Sequence, residues 1–248
     1  MLFRSPSLHS AGNILLANLA VSDLAVGLVG HPLFIVALLM RIYSHSRLSL
    51  RLWVAFNTLI SFLCGASFLT LTAIGVDRLL ALELHLRYQA LVTTFRVIMV
   101  VTITWVIPAI FSTMRLWVST LSYNALSPII FALLVGNSVV YIKIYLIVRR
   151  HLTQIRNQPQ GAPHNRSIFS MQRFKRSTLN TFLLYILMLC CYLPYSFILQ
   201  SFSAKLTISV NVRHVTTTIF LLNSSLNPLF YCWRVREIRT AMKQIFCT

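Results

Sequence analysis

Acidic residues are scarce in this sequence. Only 4 of its 248 residues are Asp or Glu, against 22 Lys and Arg, and charged residues of both signs make up 10% of the chain. Soluble domains carry about 25% charged residues, so this composition excludes a soluble domain. The net charge of +18 would suit a nucleic-acid binder, but such a protein would not also be 57% hydrophobic. The same apolar fraction excludes a disordered basic tail, and a membrane protein remains.

Other missing patterns exclude particular kinds of membrane protein and enzyme. No apolar run alternates with period two, which argues against a β-barrel. No internal repeat is evident, and a transporter would need more buried polar groups along a path than this chain contains. The 7 His residues are scattered, and neither a glycine-rich phosphate loop nor a nucleophile elbow occurs. We therefore expect a protein that is not an enzyme.

Long apolar runs, by contrast, are abundant. A helix that crosses the hydrocarbon core of a bilayer needs about 20 mostly apolar residues. Six runs qualify, and they cover residues 13–40, 52–76, 97–114, 125–148, 179–202 and 212–233. We therefore predict an all-α membrane protein, a single transmembrane helix bundle of six spans within residues 1–248.

The cations indicate how the bundle is oriented. Cytoplasmic segments are enriched in Lys and Arg, and sixteen of the 22 cations lie on one side of the predicted bundle. That side holds residues 1–12, the basic loop 150–177 and the tail 233–248, so these segments and both chain ends are predicted to be cytoplasmic. The tail has amphipathic periodicity, and we expect it to form a short helix on anionic membrane lipids. The basic surface is then a partner for lipid rather than for nucleic acid.

Five short motifs occur in order along the predicted spans. They are NLAVSDL at 18–24, DRL at 77–79, Trp105 followed by Pro108, CYLP at 191–194 and NSSLNPLFY at 223–231. Each motif alone is weak, but five in this order and at these depths are specific. Together they resemble the rhodopsin-like (class A) G-protein-coupled receptors over nearly the whole chain. The resemblance implies a plasma-membrane receptor that converts binding of an extracellular ligand into activation of a heterotrimeric G protein.

The resemblance also sets the register of the spans. In the family, the residue that matches Asp23 lies on the second helix and the residue that matches Arg78 lies on the third. The six spans therefore correspond to helices two to seven, and the first helix has no counterpart. A truncated gene product and an incomplete gene model are both open explanations. A receptor fragment that does not signal is the alternative function.

Asp23 is the only carboxylate predicted deep in the membrane, where a charge needs polar company. In the family, the matching residue anchors a sodium ion with polar groups from neighbouring helices. The matching oxygen-bearing side chains here are Ser67, Asn223, Ser224 and Asn227, and oxygen ligands suit a hard cation. A neutral, water-bridged Asp23 is the alternative. Apart from this allosteric sodium ion, no cofactor is expected.

The resemblance assigns a G-protein switch to the cytoplasmic side. In the family, the residue at Arg78 is held by its neighbour Asp77 at rest and turns into the G-protein pocket on activation. Taken alone, this charged pair would be read as side chains snorkelling to the interface. Tyr141 and Tyr231 match two tyrosines that meet near the arginine in active receptors, and Leu86 matches a loop residue that docks into the G protein.

Two predicted spans contain prolines that bend helices. Pro194 follows the aromatic residue Tyr192, and Pro228 follows Asn227. A bent helix can swing its cytoplasmic end outward, which makes it a two-state element. Many relatives also carry an acid near Phe174 that locks the arginine. This chain has a basic stretch there, so we predict a weak resting lock and raised basal activity.

The predicted ligand pocket departs from that of amine receptors. Those receptors carry an Asp where Ile60 stands, so a monoamine would find no counter-ion here. By register, the pocket would be lined by Phe56, Ile60, Cys64, Tyr195, Leu199, Thr217 and Leu221. An apolar, anionic or peptide ligand fits better. Arg115, Lys205 and Arg213 could pair with an anionic group, but interface snorkelling is the favoured interpretation for them.

Cysteine usage departs from the family as well. Most relatives join a Cys at the outer end of the third helix to a Cys in the second outer loop. Trp53 holds the first of these positions, and the 5 Cys residues all lie in predicted membrane or cytoplasmic segments. No disulfide is therefore expected. Loss of this bridge, together with the proline missing from the family's fifth helix, is similar to the melanocortin, cannabinoid and lysophospholipid receptor branch.

Overall fold

A computed structural model describes residues 11–43, 46–84, 87–117, 119–156, 165–203 and 208–234. These residues form eight α-helices: α1 (Ala11–Ala25), α2 (His31–Tyr43), α3 (Arg47–Leu84), α4 (Tyr88–Leu91), α5 (Thr94–Trp117), α6 (Ser119–Arg156), α7 (Asn165–Ser203) and α8 (Val210–Arg234). A π-helical turn, Val26–Gly30, joins α1 to α2. The described part of the chain contains no strand, and the predicted all-α fold is confirmed.

Five helical stretches among the described residues are long and apolar enough to cross a membrane. They are Ala11–Tyr43, Arg47–Leu84, Thr94–Met114, Pro128–Arg150 and Thr178–Ser201. These stretches overlap the first five predicted spans. The sixth predicted span, 212–233, lies in α8, a helix of 25 residues. Polar residues such as Arg213, Asn223 and Asn227 recur along α8, which makes it less apolar than the other spans.

Several helices continue beyond the apolar runs. α3 and α6 each contain 38 residues, and α7 contains 39. At 1.5 Å per residue such a helix reaches about 57 Å, whereas the hydrocarbon core is about 30 Å thick. α6 ends at Arg156 and α7 begins at Asn165, so the predicted loop 150–177 is in fact helical at both ends. Apolar composition marks only the part of a helix inside lipid, and it misses the polar extensions.

α3 occupies the centre of the bundle. It packs against α1, α2, α5, α6 and α7, while α8 packs against α1 and α7. Gly65 of α3 faces Pro108 of α5 so closely that a Cβ on Gly65 would lie 2.9 Å from the proline Cβ. In lipid, such close packing and interhelical hydrogen bonds hold helices together. Because α3 touches most of the other helices, it connects the two ends of the bundle. We call the end that holds Trp53 the outer end and the end that holds Arg78 the inner end.

Candidate functional site

Asp23 lies at the meeting point of α1, α3 and α8. Its side chain is buried, with 1% of its surface exposed. Asn227 Nδ2 donates a hydrogen bond to Asp23 Oδ2 at 3.0 Å, and Ser67 Oγ lies 3.5 Å from Asp23 Oδ1. Ser224 also hydrogen-bonds to this carboxylate. Three of the four predicted partners therefore contact Asp23.

The fourth predicted partner, Asn223, is buried on α8, and Ser22 joins the polar cluster around Asp23 through Ser67. Ser67 Oγ donates to Ser22 Oγ at 2.8 Å, and both side chains are buried. Ser22 was not among the predicted residues, although it stands beside Asp23 in the motif. Among the described residues, Oδ1 of Asn223 and Oδ1 of Asn227 are buried without a hydrogen-bond partner. Carboxylate, hydroxyl and amide oxygens form a donor set that fits a hard cation such as sodium.

A second polar network lies next to this cluster and joins α1, α3 and α5. Asn18 Nδ2 donates to Thr70 Oγ1 at 2.8 Å and lies 3.3 Å from Thr104 Oγ1. Trp105 Nε1 donates to Asn18 Oδ1 at 2.8 Å. Two of the motif residues, Asn18 and Trp105, therefore bind each other. Their role in the bundle is to hold three helices in register, since hydrogen bonds between helices add to packing in lipid.

At the inner end of α3, Asp77 and Arg78 form an ion pair. Arg78 Nη2 lies 3.4 Å from Asp77 Oδ2, and the arginine side chain is 18% exposed. Tyr88 of α4 donates a hydrogen bond to Asp77 Oδ1 at 2.5 Å. Burial and the adjacent Asp77 carboxylate raise the pKa of the Tyr88 hydroxyl above its usual value. Sequence reasoning missed Tyr88, because the connection that carries it matches no motif.

Tyr141 of α6 lies close to this ion pair, against α3. Its hydroxyl donates to the Leu71 carbonyl oxygen at 3.2 Å, and its ring stacks on Tyr185 with centroids 4.2 Å apart. The side chain also fills the space beside Gly75, where a Cβ would lie 3.1 Å from two ring carbons and from the hydroxyl oxygen. Leu86 and the side chains of Tyr231 and Phe174 lie outside the described residues. The predicted meeting of Tyr141 with Tyr231 therefore stays a prediction.

The aromatic residue before Pro194 binds α7 to α3. Tyr192 donates a hydrogen bond to the Cys64 carbonyl oxygen at 2.9 Å. Its ring lies 5.8 Å from that of Phe68 and 4.6 Å from that of Phe220. Pro194 lies inside α7, and Pro228 lies inside α8. Tyr192 therefore contacts both α3 and α8 directly beside the predicted bend in α7.

A cavity of about 190 Å³ opens between α3, α5, α6, α7 and α8. Its lining is mostly apolar and consists of Ser61, Cys64, Gly65, Phe68, Leu69, Ile107, Pro108, Phe111, Ser112, Ile129, Ile130, Leu133, Tyr192, Tyr195, Leu199 and Phe220. Three of the seven predicted pocket residues, Cys64, Tyr195 and Leu199, contribute to it. The cavity is therefore shifted toward α5 and α6 relative to the predicted pocket.

The other four predicted pocket residues do not line this cavity. Phe56 is packed against Phe34, with ring centroids 5.0 Å apart. Ile60 and Leu221 are buried in the core, and Thr217 is buried on α8. Helical register gives the depth of a residue, but it does not show which side of a central helix is filled by neighbouring side chains.

Comparisons with known proteins agree with the motifs and the helical bundle. Residues 1–130 match the sequence model of the family described as "7 transmembrane receptor (rhodopsin family)". The chain is 26% identical to the histamine H2 receptor of Canis lupus familiaris, over 96% of this chain and 71% of that protein. It is 25% identical to the adenosine receptor A2a of Canis lupus familiaris, over 96% and 65%. It is 24% identical to melanocortin receptor 4 of Danio rerio, over 98% and 76%.

The chain belongs to the rhodopsin family of seven-transmembrane receptors. It is a multi-pass plasma-membrane receptor that signals through G proteins, and it is not an enzyme. The resemblance drawn from the five motifs is thereby confirmed. The identities of 24% to 26% are spread over receptors for different ligands, so the ligand has to be inferred from this chain's own residues.

Proposed function

We propose that this receptor converts binding of an extracellular ligand into activation of a heterotrimeric G protein by an outward swing of α7 at Pro194 and release of Arg78. The observation that carries the proposal is the ion pair at the inner end of α3, where Arg78 Nη2 lies 3.4 Å from Asp77 Oδ2. This pair holds the arginine back from the cytoplasm. Activation then requires that the arginine leave the carboxylate.

Three further side chains are proposed to act on the inner side. Tyr141 lies against α3 beside the ion pair, and it would turn to meet Tyr231 when Arg78 is released. Leu86 would dock into the G protein. In the resting arrangement, Tyr88 donates to the same carboxylate that binds Arg78, so it strengthens the hold on the arginine. Since the sequence has no acid near Phe174 to add a further lock, the resting hold on Arg78 is proposed to stay weak, with raised basal activity.

The cavity supports α7 as the moving element. Tyr192, Tyr195 and Leu199 of α7 all contribute to its lining, and the first two flank Pro194. A ligand that fills the cavity pushes on α7 directly beside the residue that interrupts its hydrogen bonding. Phe220 of α8 stacks on Tyr195 at 4.3 Å, so α8, with its own bend at Asn227 and Pro228, moves with α7.

The ligand is proposed not to be a simple monoamine. Some relatives are histamine receptors by name, but in this chain an apolar side chain, Ile60, stands where amine receptors carry an acid. Asp23 is buried in the polar cluster, and its carboxylate is already hydrogen-bonded to Asn227, Ser224 and Ser67. A bound cation would therefore be poorly compensated. An extracellular ligand with apolar or anionic character fits the lining better.

A sodium ion is proposed to bind the polar cluster and favour the resting state. Asp23 would supply the charge, with Ser67, Asn223, Ser224 and Asn227 as the surrounding oxygen donors. The buried Oδ1 atoms of Asn223 and Asn227, which have no partner among the described residues, support this proposal. Asn227 precedes Pro228, so an ion at this position would resist bending of α8.

The orientation follows from the switch. We propose that the inner ends of α3, α6 and α7 face the cytoplasm, which places both chain ends there too. The segments 1–12, 150–177 and 233–248 would then meet the cytoplasmic leaflet, and the tail 233–248 would bind its anionic lipids as an amphipathic helix. Membrane lipids and the G protein would then both be partners of the inner surface.

The proposal is tested by loosening the hold on Arg78. Asp77→Asn keeps the size of the side chain but removes its charge, so we expect basal nucleotide exchange on the G protein to rise several-fold over the unmodified receptor. The measurement is exchange in membranes that hold equal amounts of receptor at the cell surface. No added ligand is needed, because the switch itself is altered.

Arg87→Gln provides the matched control, since Arg87 is an exposed cation close to the switch. It should leave basal exchange unchanged. If Asp77→Asn and the unmodified receptor both stay at the level of untransfected cells while reaching the surface, the release mechanism is wrong. That result would favour a receptor fragment that does not signal.

A further inference from the structure

Trp53 joins three helices at the outer end of the bundle. It lies on α3, with the guanidinium carbon of Arg41 from α2 4.9 Å from its ring centroid. The ring of His214 from α8 approaches its edge at 5.7 Å and 89°. A guanidinium over the face of an indole is an attractive arrangement. We call Arg41, Trp53, Arg213 and His214 the outer basic cluster.

The outer basic cluster collects positive charge. The charges of Arg41 and Arg213 both act on the His214 ring, so both guanidinium groups lie within electrostatic reach of the imidazole. None of the three acids that the structure describes lies at this end of the bundle: Asp23 lies in the polar cluster, and Asp77 and Glu83 lie at the inner end of α3. Like charges repel, and a bound anion would relieve that repulsion.

One polar atom of the cluster is already removed from solvent. Nδ1 of His214 is buried and has no hydrogen-bond partner among the described residues. A buried nitrogen without a partner is costly unless a ligand or water satisfies it. Cations at a membrane edge commonly snorkel toward headgroups, but His214 and Arg41 instead both contact the Trp53 ring. The side chains of Arg115 and Lys205 lie outside the described residues.

We propose that the outer basic cluster binds an anionic oxygen group, a carboxylate or a phosphate, of the extracellular ligand. The proposal rests on the proposed function, because it names the class of ligand that the receptor answers to. Guanidinium groups pair strongly with such anions through charge-assisted hydrogen bonds. The floor of the site is aromatic and closed, since Phe56 lies 5.6 Å below Trp53, ring to ring.

The outer basic cluster is connected through α8 to α7, the helix that is proposed to move. His214 lies on α8, and Phe220 lies less than two turns further in on the same helix. Phe220 contacts Tyr195 at 4.3 Å and Tyr192 at 4.6 Å, on either side of Pro194. An anion that draws His214 toward Arg41 therefore shifts α8 against the bend in α7.

The test measures binding of phenyl phosphate, a soluble aromatic anion, to the full chain in lipid nanodiscs of phosphatidylcholine by ligand-observed NMR titration. Benzylamine serves as the cationic counterpart. We expect saturable binding of phenyl phosphate and none of benzylamine. Arg41→Gln and His214→Gln should each weaken phosphate binding about tenfold, the effect of one hydrogen bond to a charged group. Arg41→Lys, which keeps the charge, should lose less.

Arg47→Gln is the control, since Arg47 is an exposed cation at the start of α3 that lies outside the cluster. Equal binding to Arg47→Gln, Arg41→Gln and His214→Gln would overturn the proposal, as would benzylamine binding as tightly as phenyl phosphate. Nanodiscs that contain phosphatidylserine separate the two sources of an anion. If their lipid blocks the site and phenyl phosphate never binds in phosphatidylcholine, the occupant is a headgroup and the assignment to an extracellular ligand is wrong.

Failure of this inference is distinguishable from failure of the proposed function. Basal exchange in Asp77→Asn depends on the inner ion pair and not on the outer basic cluster. If basal exchange rises in that variant but phenyl phosphate does not bind, only the proposed ligand class is wrong. If phenyl phosphate binds but basal exchange does not rise in Asp77→Asn, the anion site stands and the proposed switch is wrong.

Discussion

The inner and outer ends of the bundle differ in how their charged side chains are paired. At the inner end, both acids of α3 are paired with cations: Arg78 lies 3.4 Å from Asp77, and Lys143 Nζ lies 2.6 Å from Glu83 Oε1. At the outer end, Arg41 lies over an indole ring, and no ion pair among the described residues includes it. Paired charges can be held and then released, whereas uncompensated charges call for an ion from outside. The comparison therefore separates the proposed switch from the proposed recognition site.

The largest effect is expected at the inner end. Arg78→Ala should abolish both basal and ligand-driven nucleotide exchange, because it removes the group that the switch releases. Arg149→Ala, at an exposed cation of α6, should signal normally. The measurement is nucleotide exchange at matched surface expression. Unchanged exchange in Arg78→Ala would mean that the inner ion pair is only structural.

The polar cluster between the two ends gives the next largest effect. In the unmodified receptor, replacing potassium by sodium should lower basal exchange about fivefold, an ordinary allosteric coupling. In Asp23→Asn the two salts should give the same rate, because the charge that holds the cation is gone. Ser225→Ala, on the exposed face of α8, should keep the sodium effect. A sodium effect that survives in Asp23→Asn would place the ion elsewhere.

The contact between α3 and α5 tests whether the outer half depends on close packing. Gly65→Ala would place a Cβ 2.9 Å from Pro108 Cβ, so we expect a loss of about 1–3 kcal/mol in stability. The readout is the thermal unfolding midpoint in detergent, which should fall by several degrees. Gly136→Ala is the matched control, since a Cβ there meets nothing within 4 Å. Equal midpoints for the two variants would contradict the close approach of the helices.

The smallest effect is expected for Tyr88, which is also at the inner end. Tyr88→Phe removes the hydrogen bond to Asp77 but leaves the Arg78 pair, so basal exchange should rise about threefold, less than a charge-assisted bond in isolation would give. Tyr145→Phe, at an exposed ring of α6, should have no effect. A fall in basal exchange in Tyr88→Phe would indicate that Tyr88 serves the active state instead.

Particular residues show how far sequence reasoning reaches. The partners of Asp23 were predicted through the resemblance to the family, whose matching positions carry polar groups, and Ser67, Ser224 and Asn227 do contact its carboxylate. Ser22 was missed because it shares a motif with Asp23 and was not considered separately. Tyr88 was missed because it lies in a connection, where neither periodicity nor a motif marks a contact.

The predicted ligand pocket shows more clearly what could not be predicted from the sequence. Of the predicted pocket residues, Cys64, Tyr195 and Leu199 line the cavity, whereas Phe56 and Ile60 are buried in the core. Which side of α3 is open depends on the volumes of side chains from five neighbouring helices. No single segment carries that information.

The sequence was enough to place the protein in a membrane, to predict an all-α fold and to indicate the family. Apolar runs, scarce charge and ordered motifs are local properties that can be seen without knowing which residues touch. It also predicted an outer end without acids, because the positions of the 4 acids along the predicted spans place none of them there. Only the tertiary structure decided that Arg41, Trp53 and His214 meet, that Tyr88 shares Asp77 with Arg78, and that the cavity lies toward α5 and α6. These features join residues far apart in the chain, and their positions follow from how whole helices pack.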